Sequence, residues 1–323
     1  SQSKYSGSPL NIAVTGGSGL IGSQLKPYLT TAGHSVENIV RGRPQKGELS
    51  WDLENKTMSN LSGKDVVVHL AGEPISKPLG GMIPLPWTKW KRNEILKSRV
   101  EGTKLISEHI ASLNNPPKVM ICASAVGYYG DRGEDLLSES EESGDDYFSH
   151  VVSEWEKAAQ PAVDAGIRVV FLRIAPVMSP LGGALQVLGN AARLGSSPPV
   201  AGGKQWWSWI SLDDVVDVIY HSIINEKLSG PVNVASPNPV RQKEWASTLA
   251  KVIWGRFGPL TGLIPVPGFV LKTVLGEFGD VLALSSIKID SSKLLDSGYK
   301  FRFENLEDCF RHLLGKRTEE ELQ

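Results

Sequence analysis

A glycine-rich turn that follows an apolar run is the feature that most restricts how this chain can fold. The stretch NIAVTGGSGLIG covers residues 11–22, and its run at 12–14 is typical of a buried parallel strand. The glycines at 17, 19 and 22 have the spacing G-x-G-x-x-G, and the preceding Thr-Gly gives the variant TGxxGxxG. Apolar residues at helical spacing follow, so the pattern predicts a strand, a tight turn and a helix.

This order of elements indicates a dinucleotide site. Glycine lets the chain reverse tightly, lets a pyrophosphate approach the backbone, and lets helix and strand pack closely, while the first amides of the helix face the anion. The alternative is a plain tight turn, and the flanking strand and helix favour the dinucleotide site. We therefore predict that the whole turn contacts a cofactor, through Thr15, Gly16, Gly17, Ser18, Gly19, Leu20, Ile21 and Gly22.

Further buried runs alternate with helical stretches along the first two thirds of the chain. Strands are predicted near residues 36–40, 65–72, 118–124, 168–177 and 231–235, and helices near 87–113, 147–165, 184–194 and 215–224. This alternation predicts a doubly wound α/β Rossmann fold with a parallel sheet and a smaller C-terminal substrate lobe. The third predicted strand ends in Leu70, Ala71 and Gly72, whose small residues let a cofactor lie over the strand end.

Domain boundaries follow from the same pattern. We predict a disordered tail at residues 1–9 and a dinucleotide-binding domain at 10–178, to which 211–236 returns. The substrate lobe is predicted at 179–210 and 237–316, and a second tail at 317–323. An amphipathic helix near residues 306–314 ends the lobe.

Two arginines follow the second predicted strand, where an NAD site usually has an acid for the ribose hydroxyls. Arg41 and Arg43 stand there in this chain. A guanidinium matches a 2′-phosphate in charge and in bidentate geometry, which favours NADP. The alternative is a solvated basic turn.

Composition limits the partners. Lys and Arg number 34 against 35 Asp and Glu, so the chain has no excess charge that calls for nucleic acid or an anionic membrane. Cys122 and Cys309 lack a metal-ligand spacing, and two unpaired thiols suit a reducing cytosol better than one disulfide does. No long apolar run is present. We predict a cytoplasmic monomer or homodimer that binds a small-molecule substrate and no metal.

Several polar or aromatic positions have two interpretations. His69 lies in an apolar run, which favours a core residue over a catalytic one. The acidic segment at 131–146 is typical of a solvated loop, and Ser211 with Asp214 resembles a helix cap. The tryptophans of 206–209 suit either core packing or the wall of a substrate pocket.

Longer segments carry a family resemblance that covers about residues 10–314. They are TGGSGLIG, HLAGE, KSRVEGT, ASAVGYYGD, WEKAA, WISLDD and IKIDSSKLLDSGYKF. Together they resemble extended short-chain dehydrogenases of the sugar-nucleotide epimerase type, and within these the atypical "epimerase family protein" branch, once labelled cell-division-inhibitor-like. The glycine turn is shared by many enzymes, whereas the combination of the later segments is specific.

The resemblance implies further cofactor contacts. It places Arg41 at the adenosine 2′-phosphate, Leu70 and Ala71 beside the adenosine and ribose, and the strand end Ala175-Pro176-Val177 at the nicotinamide. It also implies that Glu94 and Arg99, in the long helix, reach the cofactor.

One departure from the wider superfamily bears on activity. Ordinary members carry Tyr-x-x-x-Lys after the acidic loop, where the lysine lowers the tyrosine pKa and the tyrosine moves the substrate proton. The equivalent positions here are Phe148 and Val152, or Tyr147 and Val151 after a shift of one residue. The remaining candidates for a catalytic role are Ser124, with an uncertainty of one residue in register, and Tyr129 or its neighbour Tyr128.

Two hypotheses follow from this departure. The first is an NADP-dependent oxidoreductase or epimerase that acts on a small polar or nucleotide-linked substrate. The second is a non-catalytic NADP-binding sensor or regulatory protein that kept the cofactor site and lost the relay. The missing relay favours the second, since an unactivated phenol, with a pKa of about 10, is a poor acid or base at neutral pH. The serine at the strand end, Ser124, and the apparent pocket favour the first.

Overall fold

The computed structural model describes residues 7–75, 87–195, 197, 199–255 and 283–316, together with the short strands Pro78–Leu79 and Ile83–Pro84. The predicted C-terminal tail at 317–323 and most of the predicted N-terminal tail at 1–9 lie outside the described residues. So do residues 256–282 of the predicted substrate lobe.

Sixteen strands are described in these parts of the chain. In chain order they are β1 (Asn11–Thr15), β2 (Ser35–Arg41), β3 (Glu48–Asp52), β4 (Thr57–Met58), β5 (Val66–His69), β6 (Pro78–Leu79), β7 (Ile83–Pro84), β8 (Val119–Ala125), β9 (Leu136–Leu137), β10 (Arg168–Ile174), β11 (Val177–Met178), β12 (Trp206–Trp207), β13 (Ile210–Ser211), β14 (Gly230–Val234), β15 (Val240–Arg241) and β16 (Lys288–Ile289).

Eight of these strands form the central sheet, in the order β14-β10-β8-β5-β1-β2-β3-β4. All neighbours are parallel except the edge pair of β3 and β4. The strand order reverses between β1 and β5, which is the topological switch point of a doubly wound sheet.

The helices that the structure describes connect and cover these strands. They are α1 (Gly22–Thr31), α2 (Lys89–Ala111), α3 (Tyr147–Lys157), α4 (Gln160–Asp164), α5 (Gly183–Arg193), α6 (Leu212–Ile224), α7 (Gln242–Trp254), α8 (Ser292–Asp296) and α9 (Leu306–Leu313). Side chains cap four of them at the N-terminus, from Thr88, Asp146, Ser211 and Asn305.

The central sheet is covered on both faces. Alternate residues of β1 face opposite sides, so Ile12 and Val14 join a cluster with α1 and α6, while Ala13 joins one with α2 and α4. Both faces are therefore buried, as the continuous apolar runs in the sequence require. The predicted doubly wound α/β Rossmann fold is confirmed.

A third cluster lies apart from the two faces of the sheet. It joins residues of α5, α7 and α9 with Trp209 and Trp245, which are both buried. This third cluster contains residues from 178 to 253 and from 303 to 314.

Two local predictions differ from the structure. No strand is predicted between residues 40 and 65, but Glu48–Asp52 form β3, whose Trp51 is buried against the helices of one face. The helix predicted at 147–165 is divided into α3 and α4, because Pro161 lies in the first turn of a new helix. Edge strands and helix breaks depend on tertiary contacts that periodicity does not reveal.

Membrane-spanning segments are not found among these helices, since none of those described is both long and apolar enough to cross a bilayer.

Candidate functional site

The glycine turn and the ends of three further strands meet at one edge of the sheet. Because β1, β5, β8 and β10 run parallel, their carboxyl ends lie at the same edge. In open α/β sheets, ligands bind outside these ends at the switch point. We therefore take this edge, called the carboxyl edge below, as the candidate site.

Close contacts explain the glycines of the turn. Gly16 has a positive φ of 71°, and a Cβ there would lie 2.8 Å from the amide nitrogen of Ala71. A Cβ on Gly22 would collide with the carbonyl oxygen of Gly16, and one on Gly17 with the side chain of Asn38. At Gly16 and Gly22 the turn therefore has room for backbone only, which holds it close to the strand ends.

The helix that follows the turn is open to an anion at its N-terminus. No side chain caps α1 at Ile21, whereas α2, α3 and α6 carry capping side chains. Ser18 and Gly19 are exposed beside this end. The amides of Ser23 and Gln24 donate to the backbone carbonyls of Gly19 and Ile21, so it is the positive end of the helix that suits a phosphate group.

A buried hydroxyl joins the turn to the end of β5. Thr15 accepts hydrogen bonds from the amides of Leu70 (3.1 Å) and Ala71 (3.2 Å), and its oxygen lies 2.7 Å from Nδ1 of His69. His69 is fully buried, and burial followed by the charge of Arg99 lowers its pKa to about 3. His69 is therefore a neutral core residue, as its apolar surroundings in the sequence predict.

Arg99 lies beneath the strand end that carries Gly72. It donates from Nη1 to the carbonyl of Glu73 at 3.0 Å, and its guanidinium carbon lies 3.4 Å from the position of a Cβ on Gly72. Burial lowers its pKa to about 10, which leaves the group protonated at neutral pH. Its Nε is buried without a hydrogen-bond partner among the described residues. Glu94, about one turn earlier on α2, is partly buried.

The basic residues at the end of β2 are exposed. Arg41 ends the strand and Arg43 follows, and both side chains are accessible to a ligand. Arg43 also lines a shallow groove with residues of β3 and β4, among them Ser50, and with Ser59, which follows β4. The position suits an anion at the ribose end of a dinucleotide.

Apolar side chains fill the positions of the usual proton relay. Phe148 and Val152 lie on α3 and are buried in one cluster with Ile95 and Val151. A Cβ on Gly127 would collide with the ring of Phe148, so the ring is seated directly on the chain after β8. The alternative register gives no lysine either, since Val151 is buried and the hydroxyl of Tyr147 donates to the carbonyl of Arg92 at 2.6 Å.

Ser124 takes part in a buried polar network between β8, β10 and α3. Its hydroxyl donates to Oε1 of Glu156 at 2.6 Å, and Glu156 forms a bidentate ion pair with Arg173 at 2.9 Å for both bonds. The next residue, Ala125, packs beside the Phe148 cluster and has no hydroxyl. The Ser124 proton is therefore committed to a carboxylate.

Tyr129, the other predicted catalytic residue, is fully buried. Its hydroxyl donates to Oδ1 of Asn233 at 2.7 Å and accepts from Arg173 at 3.0 Å. Burial, partly offset by Arg173, raises the pKa of Tyr129 to about 12. Tyr128 is partly exposed, and the guanidinium carbon of Arg173 lies 3.5 Å from its ring centre.

The strand end predicted at the nicotinamide continues into the next element. Ala175 is buried and donates its amide to Val234, whereas Val177 is partly buried and begins β11. A Cβ on Gly182, just beyond, would lie 3.4 Å from Leu20 of the glycine turn. The chain after β10 thus returns to the turn and borders the site.

Sequence reasoning missed the connections made by the acidic segment. Glu134 binds Arg241 through both carboxylate oxygens, at 2.8 and 2.7 Å, and accepts from Nε1 of Trp206 at 2.9 Å. Glu139 accepts the amide of Asn233 at 2.8 Å. Part of the predicted solvated loop is therefore tied to other elements, which no spacing in the sequence reveals.

The tryptophans of 206–209 have different surroundings. Trp209 is fully buried and Trp207 contacts Trp245 in the third cluster. Trp206 is partly exposed, with the guanidinium carbon of Arg241 3.9 Å from its ring centre. Core packing thus accounts for Trp207 and Trp209.

The carboxyl edge fits a dinucleotide on its own geometry. A Cβ at Gly16 or Gly22 would collide with the backbone, and α1 has no side-chain cap. The buried Arg99, whose Nε has no hydrogen-bond partner among the described residues, lies beside Gly72. Each of these features is expected where a diphosphate lies against a strand end.

Comparison with known proteins agrees with this geometry. Residues 12–235 match the NAD dependent epimerase/dehydratase family, and residues 266–313 match a Domain of unknown function (DUF1731). Epimerase family protein YfhF from Bacillus subtilis is 33% identical over 315 residues, which cover 95% of this chain and 99% of that protein.

Two crystal structures are also similar. Human epimerase family protein SDR39U1 (isoform 2), whose structure contains NADPH, has a TM-score of 0.83 and 30% identity, with 95% of this chain and 100% of that chain covered. The nucleoside-diphosphate sugar epimerase from Corynebacterium glutamicum has a TM-score of 0.77 and 34% identity over 95% of this chain, which spans 59% of that longer chain.

The matches cover nearly all of the chain, and the glycine turn, the switch point and the strand ends lie within the region that the family model matches. This chain belongs to the NAD-dependent epimerase/dehydratase family and, within it, to the SDR39U1-like epimerase family proteins.

Proposed function

We propose that this chain binds NADP(H) at the carboxyl edge and acts as a non-catalytic NADP(H)-binding protein with a sensing or regulatory role. The observation that carries the proposal is the replacement of the proton relay. Phe148 and Val152 are apolar and buried, Ala125 has no hydroxyl, and Ser124 donates to Glu156. The binding features remain, while the groups that would move a substrate proton are replaced or engaged elsewhere.

The residues proposed to hold the cofactor lie after the strands β1, β2, β5 and β10 and on the helix α2. The turn of Thr15, Gly16, Gly17, Ser18, Gly19, Leu20, Ile21 and Gly22 would bind the diphosphate through its amides and α1. Arg41 and Arg43 would bind the 2′-phosphate, and Leu70, Ala71 and Gly72 would lie beside the adenosine and ribose. Glu94 and Arg99 from α2, with Ala175 and Val177 after β10, would border the remainder. When bound, NADP(H) would supply a hydride donor or acceptor.

Titration calorimetry with NADPH and NADH tests the binding part of the proposal. We expect NADPH to bind more tightly than NADH, because only NADPH offers a phosphate to the arginines after β2. Gly22→Ala should abolish binding of both, since its Cβ would displace the turn. Absence of heat with either nucleotide, on protein with a cooperative unfolding transition, would overturn the proposal.

A turnover screen tests the non-catalytic part. NADPH oxidation is followed in the presence of a panel of carbonyl compounds, and epimer formation is followed for nucleoside-diphosphate sugars incubated with NADP⁺, because epimerisation returns the hydride and leaves no net change in the nicotinamide. We expect neither substrate-dependent oxidation nor an epimer despite tight binding of NADPH. Either product would instead support the second candidate function.

That candidate is an NADP-dependent oxidoreductase or epimerase for a small polar or nucleotide-linked substrate. One observation favours it: Tyr128 is partly exposed at the end of β8, and the positive charge of Arg173 lies against its ring. A tyrosine hydroxyl is one of the side-chain groups that move substrate protons in enzymes. In this case Tyr128→Phe should abolish turnover and leave the Kd for NADPH unchanged, whereas the non-catalytic function predicts no turnover to lose.

A further inference from the structure

The contact between the glycine turn and the end of β5 depends on one peptide unit. The Leu70–Ala71 peptide lies directly against Gly16, where its amide nitrogen and carbonyl carbon would be 2.8 Å from a Cβ. Thr15 holds the amides of both residues with its hydroxyl oxygen, at 3.1 and 3.2 Å. The hydroxyl therefore ties both amides to the end of β1, and the Leu70 amide also lies 3.3 Å from the backbone carbonyl oxygen of Thr15.

The hydroxyl proton of Thr15 has one nearby acceptor among these groups, the imidazole of His69. Since the oxygen of Thr15 already accepts two amides, its proton goes to Nδ1 of His69 at 2.7 Å. Nδ1 is then the acceptor nitrogen, so the ring proton is on Nε2, which donates to Oγ1 of Thr103 at 3.0 Å.

The hydrogen bonds from Thr15 through His69 to Thr103 join three elements that border the proposed cofactor site. Thr15 ends β1, His69 ends β5, and Thr103 lies on α2 one turn after Arg99. All three side chains of the chain are fully buried. The ring of Trp51 packs edge-on against the imidazole at 5.9 Å between centroids, which restricts the rotation of His69.

We propose that the hydrogen-bonded chain Thr15–His69–Thr103 positions the glycine turn and the β5 end for the cofactor diphosphate, with His69 as the central positioning residue. The proposal rests on the proposed function of the same edge. A neutral imidazole suits this place, because it can accept from one threonine and donate to the other at once. A charged imidazole carries protons on both nitrogens and would have to donate to Thr15. The hydroxyl proton of Thr15 would then have to point away from His69.

Binding measurements on threonine variants test the proposal. Thr103→Val keeps the shape of the side chain and removes the acceptor for Nε2, and we expect it to raise the Kd for NADPH roughly tenfold. Thr103→Ser restores the hydroxyl and should restore the Kd. His69→Phe keeps a ring against Trp51 and should weaken binding at least as much.

Ser107→Ala is the matched control. Ser107 lies one turn further along α2, is fully buried, and accepts the amide of Ala162 at 2.9 Å, away from the carboxyl edge. It should lower the Tm and leave the Kd unchanged. If Thr103→Val and His69→Phe bind NADPH as wild type does, the positioning role is refuted.

A spectrum of the wild-type protein gives a readout that needs no variant. A two-bond ¹H–¹⁵N correlation should show His69 with the proton on Nε2 and no titration between about pH 5 and 8. A proton on Nδ1 would overturn the proposal. If wild type binds no NADPH, the proposed function fails instead, and the tautomer still reports whether the chain of hydrogen bonds exists.

Discussion

Arg41 ends β2 with an exposed side chain, and we propose that its guanidinium binds the 2′-phosphate of NADP(H). Arg41→Ala should raise the Kd for NADPH by about tenfold to a hundredfold, because a charge-assisted bond to the 2′-phosphate is lost. The Kd for NADH should change less than about twofold, since NADH has no such phosphate. Calorimetry with both nucleotides measures the difference.

Arg311→Ala is the control for this substitution. Arg311 is a surface arginine on α9, paired with Glu307 at 2.7 Å, and should affect neither nucleotide. Arg43→Ala, which changes a side chain of the neighbouring groove, should act in the same direction as Arg41→Ala. Equal losses for NADPH and NADH in Arg41→Ala would show that Arg41 does not recognise the phosphate.

Individual residues also show where sequence reasoning stops. The glycines of the turn were predictable because a missing Cβ has a direct steric consequence, here between Gly16 and the Leu70–Ala71 peptide. The bidentate pair of Glu156 and Arg173 was not, because its partners lie 17 positions apart on a helix and a strand. Neither residue type nor spacing reveals such a pair before the helix is placed on the sheet.

At the scale of elements, α6 connects the main sheet to the C-terminal segment through one carboxylate. Asp214 is fully buried and accepts from the hydroxyls of Ser211 (2.6 Å) and Tyr299 (2.9 Å), and from the amides of Arg302 (2.7 Å) and Phe303 (3.3 Å). The sequence predicts only the helix cap, which the structure confirms. The contact with residues 299–303 became visible only in three dimensions.

Asp214→Asn should lower the free energy of unfolding by about 3 kcal/mol or more, because an amide places its own donors against buried donors. Asp213→Asn is the control: Asp213 is half-exposed and pairs with Arg302 at 3.3 Å, a surface pair expected to contribute about 1 kcal/mol or less. Urea unfolding followed by circular dichroism measures both variants. Similar losses in the two would show that Asp214 is no more than a surface cap.

Helices and buried strands were predicted closely because each carries its own periodicity, as in α2 and β10. The strand β3 and the edge strand β4 were not, since Trp51 is the one buried residue of β3 and its other four residues are partly buried. An edge strand is specified mainly by its partner, and the partner is not visible in a local window.

At the scale of the whole molecule, the buried His69 links folding to pH. Its pKa is lowered to about 3 in the folded protein from an ordinary value of 6.5, so the unfolded chain takes up a proton that the folded chain refuses. The stability that this contributes is fully present above about pH 6.5, and is lost progressively as the pH falls towards 3. Burial also lowers the pKa of His34, His109 and His221, which add to the same trend.

His69→Gln removes the titrating group and keeps a polar side chain. Between about pH 6 and 5, one such proton makes the free energy of unfolding fall by about 1.4 kcal/mol per pH unit, so the variant should show a slope smaller by about that amount. Urea unfolding of both proteins at several pH values in this range measures the slopes, and the lower starting stability of the variant does not affect the comparison. Parallel curves would mean that His69 is protonated in the folded protein, and the hydrogen-bonded chain at the glycine turn would then require a different proton arrangement.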